Sequence, residues 1–335
     1  MRIGIRLGKA ALFAAQLAML SGWAWLAFES RASRSAEGPP VLFEAGKGKS
    51  VGAIADDLKA QGIIRKRTPF LLAYELFFAP RNVKAGEYEL AKGSRALDIL
   101  ARLVDGRVVL HPVTIAEGLT AKETFARLAA AGFGRLEDFE AAARDAADIA
   151  LLDPKAAGLE GYLYPETYHF AKGATAGEIL LRMTGEFREV FDASLRARAA
   201  GLGMSVRDAV TLASLIEKET ARPEERRLVS AVFHNRLARG MRLECDPTVI
   251  YGLSLLGRYE GRLRTRDLRT DTPYNTYMHA GLPPGPICNP GRSSLEAALD
   301  PADADYLFFV SRNDGSHEFS RTLGDHSRAV RKFQR

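Results

Sequence analysis

Hydrophobic and polar positions recur at helical spacing along residues 206–220, and Ser205 with Asp208 supplies a capping box at the start of this segment. At about 100° per residue, Glu217 falls inside the apolar arc of the predicted helix, whereas Glu219 lies at its edge. Desolvation disfavours the charged form of a carboxyl group, so we expect a raised pKa for Glu217, which suits a general acid. Glu219 is better placed to pair with a neighbouring cation.

A second amphipathic helix follows directly, with Pro223 at its first position and Gly240 after its end. The two helices should pack as a hairpin with Glu217 at their seam. Near the C-terminus, the β-prone runs 306–311 and 317–320 flank an Asn-Asp-Gly-Ser turn, which predicts a β-hairpin.

Earlier in the chain, one pattern occurs three times: a short β-prone stretch, a hydroxyl residue as helix N-cap, an amphipathic helix and a closing glycine. The strands are predicted at residues 41–44, 87–90 and 113–115, and the helices between Ser50 and Gly62, between Ser94 and Gly106, and between Thr120 and Gly132. A further helix is predicted around residues 68–78, and the Ala-rich stretch 136–150 is predicted to be helical. Together these patterns predict an α+β fold.

Residues 235–291 are rich in Asn, Tyr, Asp, Gly and Pro, which indicates ordered loops that offer amides, hydroxyls and aromatic faces. A carbohydrate-binding cleft uses these groups. The candidate substrate-binding residues are Tyr164, Glu219, Asp246, Tyr251, Asn275, Tyr277 and Asn289. Each has a structural alternative: Asp246 as a cap of a helix beginning near Thr248, the tyrosines as core residues, and the asparagines as turn residues.

Several segments in this order and spacing resemble the YceG-like endolytic murein transglycosylases. They are ASLIEKET at 213–220, NRL at 235–237, MRL at 241–243, DPTVIYG at 246–252, YNTY at 274–277 and GLPPG at 281–285, with EGYLYPETY at 160–168 similar to the segment that opens the family's catalytic domain. The resemblance covers nearly the whole chain. It implies an enzyme without a cofactor that cuts cell-wall glycan strands internally, between N-acetylmuramic acid and N-acetylglucosamine.

In that family the first Glu of the Glu-Lys-Glu run is the catalytic acid and base, which maps onto Glu217. The resemblance implies that this carboxyl group protonates the glycosidic oxygen, then takes a proton from the C6 hydroxyl and leaves a 1,6-anhydro end. Two alternatives stay open. A hydrolytic muramidase would need a second carboxylate, for which Glu219, Asp246 or Glu166 would have to serve. A non-catalytic wall-binding scaffold would tolerate the loss of Glu217.

The N-terminus predicts a membrane anchor. Arg2, Arg6 and Lys9 precede the apolar stretch 10–28, which has two tryptophans near its end. A cleaved signal peptide is the competing interpretation, and the bulky end of the stretch favours retention. We therefore expect a single-pass protein of the inner (cytoplasmic) membrane, with its N-terminus in the cytoplasm and its catalytic domain outside.

The motifs and the resemblance divide the chain into six segments. They are a basic cytoplasmic N-terminus at 1–9, a transmembrane helix at 10–28, a linker at 29–40, a LysM-like βα module at 41–110, a βα connecting region at 111–158 and a lysozyme-like α+β catalytic domain at 159–335. A LysM-like module commonly binds N-acetylglucosamine polymers. Its structural alternative is a spacer that holds the active site above the membrane.

Charge and composition limit the classes of partner that we expect for this chain. The net charge is +6, but Lys and Arg are spread along the chain and no nucleic-acid motif is present. The expected partners are peptidoglycan glycan strands, the membrane and, as candidates, peptidoglycan synthases or division proteins, with no nucleic acid. The six histidines lack metal-binding spacing, so we expect no metal site. Cys245 and Cys288 follow similar turns and are a candidate disulfide in an oxidising compartment.

Overall fold

The computed structural model describes residues 39–145 and 147–334, together with residues 16, 19–20 and 22–23. The predicted cytoplasmic segment 1–9 lies outside the described residues, as do most of the predicted membrane span 10–28 and of the linker 29–40. Among the described residues, no single helix has the length and apolar character needed to cross a membrane. One bent pair, Ala193–Gly201 with Val206–Glu219, meets those two criteria.

The described chain is a mixed α+β fold, as predicted. Its elements are β1 (Val41–Ala45), α1 (Val51–Ala60), α2 (Arg67–Phe77), β2 (Gly86–Leu90), α3 (Ala96–Asp105), β3 (Leu110–Thr114), α4 (Ala121–Ala130), α5 (Leu136–Ala142), α6 (Ala147–Ala150), β4 (Thr167–Ala171), α7 (Ala176–Val190), α8 (Ala193–Gly201), α9 (Val206–Glu219), α10 (Pro223–Ala238), α11 (Asp246–Leu255), a short 3₁₀ helix (Asp267–Arg269), α12 (Arg292–Leu299), β5 (Phe308–Ser311), β6 (His317–Ser320) and α13 (Leu323–Phe333). The strands pair as β1 with β2, β3 with β4, and β5 with β6.

The chain divides into two compact units. The first comprises the described residues up to His111 together with His169–Gly173, and the second comprises the remainder. In the first unit, β1 and β2 pair antiparallel with Phe43 opposite Tyr88. Both of these rings are fully buried in one apolar core with side chains of α1, α2 and α3. The order strand, helix, helix, strand, helix therefore encloses a single small core.

Hydroxyl caps and left-handed glycines set the ends of several helices, as the sequence predicts. Ser50 accepts a hydrogen bond from the Ala53 N–H at the start of α1, and Thr120 forms a capping box with Glu123 at the start of α4. Gly106 ends α3 in the left-handed conformation. The predicted N-cap at Ser94 is wrong by one residue, because the Ser94 hydroxyl donates to the Ala91 carbonyl and the N-cap position belongs to Arg95.

The predicted helix over residues 136–150 is broken. Helix α5 ends at Ala142, and α6 begins at Ala147. The Asp145 carboxylate accepts a hydrogen bond from the Ala147 N–H, so it caps the second helix. The predicted α-hairpin and the predicted β-hairpin near the C-terminus are both confirmed: α9 packs on α10, and β5 pairs antiparallel with β6.

Helix α9 forms the centre of the second unit. It packs against α10 and α12, and its residues 209–216 are all buried. The sequence predicted one apolar face, but Thr211 and Ser214 are enclosed as well. Ser214 satisfies its hydroxyl by donating to the Thr211 carbonyl and accepting from the Ile287 N–H. Close packing on every side holds this helix in place. The position of its last turn, which carries Glu217, is therefore set as well.

Candidate functional site

Glu217 lies in the last turn of α9 with its side chain only 7% exposed. Its Oε2 accepts a hydrogen bond from the Gly291 N–H at 3.0 Å, and Gly291 is the N-cap residue of α12. The start of a helix stabilises a negative charge, so this contact anchors the carboxylate. The burial predicted for Glu217 is therefore present, and the backbone of α12 helps to hold it.

Arg226, four positions into α10, is the cation beside Glu217. Its Nη2 lies 3.4 Å from Glu217 Oε1, and its Nη1 donates to Ser293 Oγ at 2.6 Å. The Arg226 side chain is 10% exposed. The sequence predicted that Glu219 would pair with a neighbouring cation. The ion pair forms at Glu217 instead, because α10 turns back along the face of α9 that carries this residue.

A second carboxylate, Glu117, stands beside the pair. Its Oε2 lies 3.7 Å from the same Arg226 Nη2, and its side chain is 47% exposed. Burial, and then the negative charge of Glu217, raise the pKa of Glu117, while Arg226 opposes the rise. Two carboxyl groups thus flank one guanidinium group, one enclosed and one open to solvent.

Gly291 makes this close approach possible, because a Cβ atom added there would lie 1.9 Å from Glu117 Oε1. A Cβ atom added at Gly118 would lie 3.6 Å from Glu217 Cγ, which is an ordinary contact. Gly118 also has a φ of +78°, which side chains rarely adopt. The backbone at both positions therefore carries no side chain where the two carboxyl groups meet.

A pocket of about 550 Å³ lies near the end of α9, and its lining does not include Glu217, Glu117 or Arg226. Its lining includes Lys218, the residue after Glu217, together with Tyr251, Tyr259 and Glu160. The Lys218 Nζ donates to the Gly118 carbonyl at 3.3 Å, which ties the rim of the pocket to the loop that carries Glu117. Aromatic faces beside charged and hydroxyl groups fit a sugar ring.

Glu160 is a buried acid in this pocket that the sequence reasoning missed. Its Oε1 accepts from the Ala121 N–H at the start of α4, and its Oε2 accepts from the Tyr251 hydroxyl. Burial raises the pKa of Glu160 to about 7, and these two hydrogen bonds oppose the rise. Tyr251 also packs edge-on against Tyr274, with ring centroids 4.8 Å apart. Tyr251 thus lines this pocket, and its role in substrate binding stays a prediction.

Asp246, Tyr277 and Glu219 form a separate cluster at the start of α11. The Tyr277 hydroxyl donates to Asp246 Oδ1 at 2.6 Å, and Asp246 is the first residue of the helix, after the N-cap Cys245. Burial raises the pKa of Glu219 to about 7, and a hydrogen bond with the Cys245 thiol opposes the rise. Glu219 thus belongs to the cluster at the start of α11. It points away from Glu217, since side chains two positions apart lie on opposite faces of a helix.

The two candidate asparagines are buried, and their side chains join loops through hydrogen bonds to backbone groups. Asn289 is 0% exposed. Its Oδ1 accepts from the Gly161 and Leu163 N–H groups, and its Nδ2 donates to the Leu119 carbonyl. Asn275 is 0% exposed as well, and its Nδ2 donates to the Leu268 and Thr270 carbonyls. A substrate cannot reach these amides, so the prediction that they bind sugar is corrected: they join loops.

The predicted disulfide is absent, and both cysteines are buried free thiols. The Cys288 thiol donates to the Ser214 carbonyl, whereas the Cys245 thiol meets Glu219. Positions 214 and 219 are about 7.5 Å apart along the axis of α9 and point in different directions. Each sulfur is thus held against a different part of this helix.

Tyr164 and Glu166 occupy different surroundings. Tyr164 is half-buried, and burial, followed by the charge of Glu117, raises its pKa. It therefore lies near the Glu117 side of the carboxylate cluster. Glu166 is exposed, and its Oε1 accepts from the N–H of the next residue, which supports its structural interpretation over a role as second acid.

Glu117, Arg226 and Glu160 were not predicted as site residues from the sequence. Arg226 had a usable signal, because it lies nine positions after Glu217 in the returning helix of a predicted hairpin. Glu117 had a weaker signal: it precedes Gly118 directly after β3, and a glycine at such a place indicates a turn. Among the described residues, no group of three or more His, Cys, Asp or Glu side chains is arranged to hold a metal ion. The chemistry available here is proton transfer by carboxyl groups next to a sugar-sized pocket.

Comparisons with known proteins show which family the chain resembles. Residues 43–332 match the YceG-like family. An endolytic murein transglycosylase of Bacillus subtilis is 32% identical over 309 residues, which cover 85% of this chain and 82% of that protein. One from Streptococcus pneumoniae is 28% identical over 316 residues, and the match spans 56% of its length. The crystal structure of a YceG-like protein from Listeria monocytogenes gives a TM-score of 0.59 at 33% identity, covering 87% of this chain and 99% of that one.

Proposed function

The chain belongs to the YceG-like family, and on that basis we propose that it is a murein lytic transglycosylase whose substrate is the glycan strand of peptidoglycan. The relatives from Bacillus subtilis and Streptococcus pneumoniae bear the name endolytic murein transglycosylase. The observation that carries the proposal is the enclosed carboxyl group of Glu217, which Gly291 and Arg226 anchor. Glu217 directly precedes Lys218, which lines a pocket that a sugar ring would fit.

Glu217 is the acid and then the base. Its protonated carboxyl group gives a proton to the glycosidic oxygen between N-acetylmuramic acid and N-acetylglucosamine, and the bond to the anomeric carbon breaks. The resulting carboxylate takes the proton of the C6 hydroxyl of the muramic acid. That oxygen attacks the anomeric carbon of its own ring and closes a 1,6-anhydro bridge. The intramolecular attack needs no water, and it gains a large effective concentration.

Arg226 and Gly291 stabilise the ionised form of the Glu217 carboxyl group. When Glu217 has released its proton, the guanidinium group and the Gly291 N–H both face carboxylate oxygens. A preorganised donor and a cation in a partly enclosed site stabilise such a charge without further rearrangement. These two groups therefore favour proton release at the step where the glycosidic bond breaks.

Glu217→Gln tests this assignment. Glutamine keeps the shape and the hydrogen bond from Gly291 but has no acidic proton, so cleavage of purified glycan strands should fall by at least about 10³-fold. Glu219→Gln is the matched control, since it makes the same change two positions away in the other cluster, and it should retain most of the activity. Release of soluble fragments, measured by chromatography, separates the two variants. Wild-type cleavage by Glu217→Gln would refute the assignment and would favour a wall-binding scaffold.

One observation favours hydrolysis as the second candidate. Glu117 lies 3.7 Å from the same Arg226 nitrogen that Glu217 contacts at 3.4 Å, so a second carboxyl group is available to activate water. The other candidates for this role, Glu219, Asp246 and Glu166, do not contact that nitrogen. A hydrolytic enzyme would leave reducing ends in place of anhydro ends.

We also propose that the first unit is a LysM-like, glycan-binding module and that residues 10–28 anchor the chain in the cytoplasmic membrane. The order strand, helix, helix, strand with antiparallel pairing of Val41–Ala45 and Gly86–Leu90 supports the first proposal. Basic residues before an apolar stretch of about 20 residues support the second. The catalytic unit would then act outside the cytoplasm, and synthases or division proteins would be its candidate partners there.

A further inference from the structure

An arginine-rich loop follows α11. Five arginines occur between Gly257 and Thr270, and four of them, Arg258, Arg262, Arg264 and Arg266, line one pocket of about 450 Å³. We call it the arginine pocket. Its acidic lining residues are Glu260 and Asp267.

The charges in the arginine pocket do not balance. Arg264 pairs with Glu260 at 2.8 Å, and Arg266 lies 3.7 Å from Asp267. Arg258 and Arg262 are both exposed, and neither forms an ion pair within the part of the chain that the structure describes. Two guanidinium groups are thus left without a counter-charge in one concave surface, which favours an anionic ligand.

The arginine pocket adjoins the sugar-sized pocket beside Glu217. Tyr259 lines both pockets, and the consecutive residues Leu253 and Ser254 of α11 line one each. Lys218 also lines the sugar-sized pocket, and it directly follows Glu217 in the chain. A polymer that lies in the sugar-sized pocket would therefore extend into the arginine pocket.

We propose that the arginine pocket binds the carboxylates of the peptide stems carried by the glycan strand, so that the substrate is a stem-bearing strand in preference to a denuded one. This inference rests on the proposed function. A stem peptide has free carboxylate groups that reach beyond the sugar backbone, whereas a denuded strand keeps only the lactyl carboxylate close to the ring. Guanidinium groups bind carboxylates through paired, charge-assisted hydrogen bonds.

The shared Tyr259 favours a ligand that belongs to the strand itself. An anionic lipid headgroup would meet the same guanidinium groups, but nothing in that case would require continuity with the pocket beside Glu217. Binding to lipid vesicles is therefore an outcome that the experiment must separate from binding to stems.

The test compares affinities in the Glu217→Gln protein, so that binding is read without cleavage. The ligands are uncrosslinked strands that carry stems and strands of the same length denuded with an amidase. Adding R258E/R262E should weaken binding of the stem-bearing strands by about tenfold or more and change binding of the denuded strands by less than about twofold. The control is R196E/R198E, which reverses two exposed charges on α8, and it should leave both affinities unchanged. Circular dichroism checks that each variant is folded.

Each other result contradicts the inference in a recognisable way. Equal affinity of the starting protein for both strands, or equal loss on both with R258E/R262E, would overturn stem recognition while leaving the proposed function intact. Loss of binding to phosphatidylglycerol vesicles, with both strand affinities unchanged, would assign the arginine pocket to lipid. Failure of both kinds of strand to bind at all would overturn the proposed function as well.

Discussion

At the scale of single residues, Glu217 owes its position to the phase of one helix, and its contacts come from distant parts of the chain. Its burial follows from the apolar arc of residues 206–220, which the sequence discloses. Gly291 and Glu117 reach it from 74 and 100 positions away. Periodicity carries no information about such pairings. This is why the burial was predictable and the contacts with Gly291 and Glu117 were not.

The same limit explains the errors at Asn275 and Asn289. Amide side chains in loops rich in Gly and Pro suit both sugar binding and loop clamping, and only burial separates the two roles. The structure encloses both residues completely. Tyr251, in contrast, does line the pocket beside Glu217.

Asn289→Ala should destabilise the protein rather than weaken substrate binding. The change removes the partner of the Gly161 and Leu163 N–H groups and of the Leu119 carbonyl, all within buried backbone. We expect the free energy of unfolding to fall by about 3 kcal/mol. Urea denaturation measures it. A variant of unchanged stability with a raised KM would instead assign Asn289 to the substrate.

At the scale of elements, capping signals were the most reliable guide. The hydroxyl caps at Ser50, Thr120 and Ser205 each begin a helix. A capping box at Thr175 also begins α7, a helix that the sequence reasoning did not predict although its signal was present. The break in residues 136–150 escaped prediction because an Ala-rich stretch has high helix propensity on both sides of Asp145.

The N-terminus of α12 is the element that holds the carboxylate cluster together, and Gly291→Ala tests this. The φ of Gly291 is −77°, which alanine adopts readily, so the fold should be retained. The added methyl group would lie 1.9 Å from Glu117 Oε1 and must displace that carboxyl group. We expect cleavage to fall by about tenfold with little change in the melting temperature.

Gly324→Ala is the matched control for that change, because the nearest heavy atom to its added Cβ lies 3.7 Å away, an ordinary contact. It should cleave at the wild-type rate. Equal rates for Gly291→Ala and Gly324→Ala, measured on the same glycan strands, would show that the approach of Glu117 to the backbone of α12 has no role in the reaction.

At the scale of the whole molecule, the sequence predicted a mixed α+β chain and its order of motifs. It could not predict how residues 235–291 fold, because these loops are fixed by buried side-chain clamps and not by a repeating pattern. The family resemblance located the motifs on the chain. Only three-dimensional contacts could identify the sugar-sized pocket, the arginine pocket and the second carboxyl group.

Glu160 predicts how the stability of the whole protein depends on pH. Burial raises its pKa to about 7, so the folded state holds this proton where the unfolded chain has already released it. The folded state therefore binds more protons between about pH 4.5 and 7, and stability falls as the pH rises through this interval. The contribution is fully present at lower pH and is lost above about pH 7.

Glu160→Gln removes that proton linkage. The quantity compared is the free energy of unfolding of the variant minus that of the wild type. This difference should be more positive at pH 8 than at pH 5 by about 2 kcal/mol. Glu219, with a pKa also raised to about 7, acts in the same direction in both proteins and cancels in the comparison. Urea denaturation at the two pH values gives the difference. A difference of zero would show that the Glu160 carboxyl group is ionised in the folded protein at pH 5.

The most direct test of the central claim is the mass of the new chain ends that the wild-type protein leaves on uncrosslinked glycan strands. If Glu217 alone serves as acid and base, the muramic acid ends are 1,6-anhydro rings, lighter than reducing ends by one water molecule. Mass spectrometry of the purified fragments distinguishes the two products. Anhydro ends throughout the digest are the predicted result, and reducing ends would contradict transglycosylation and point to Glu117 as the base that activates water.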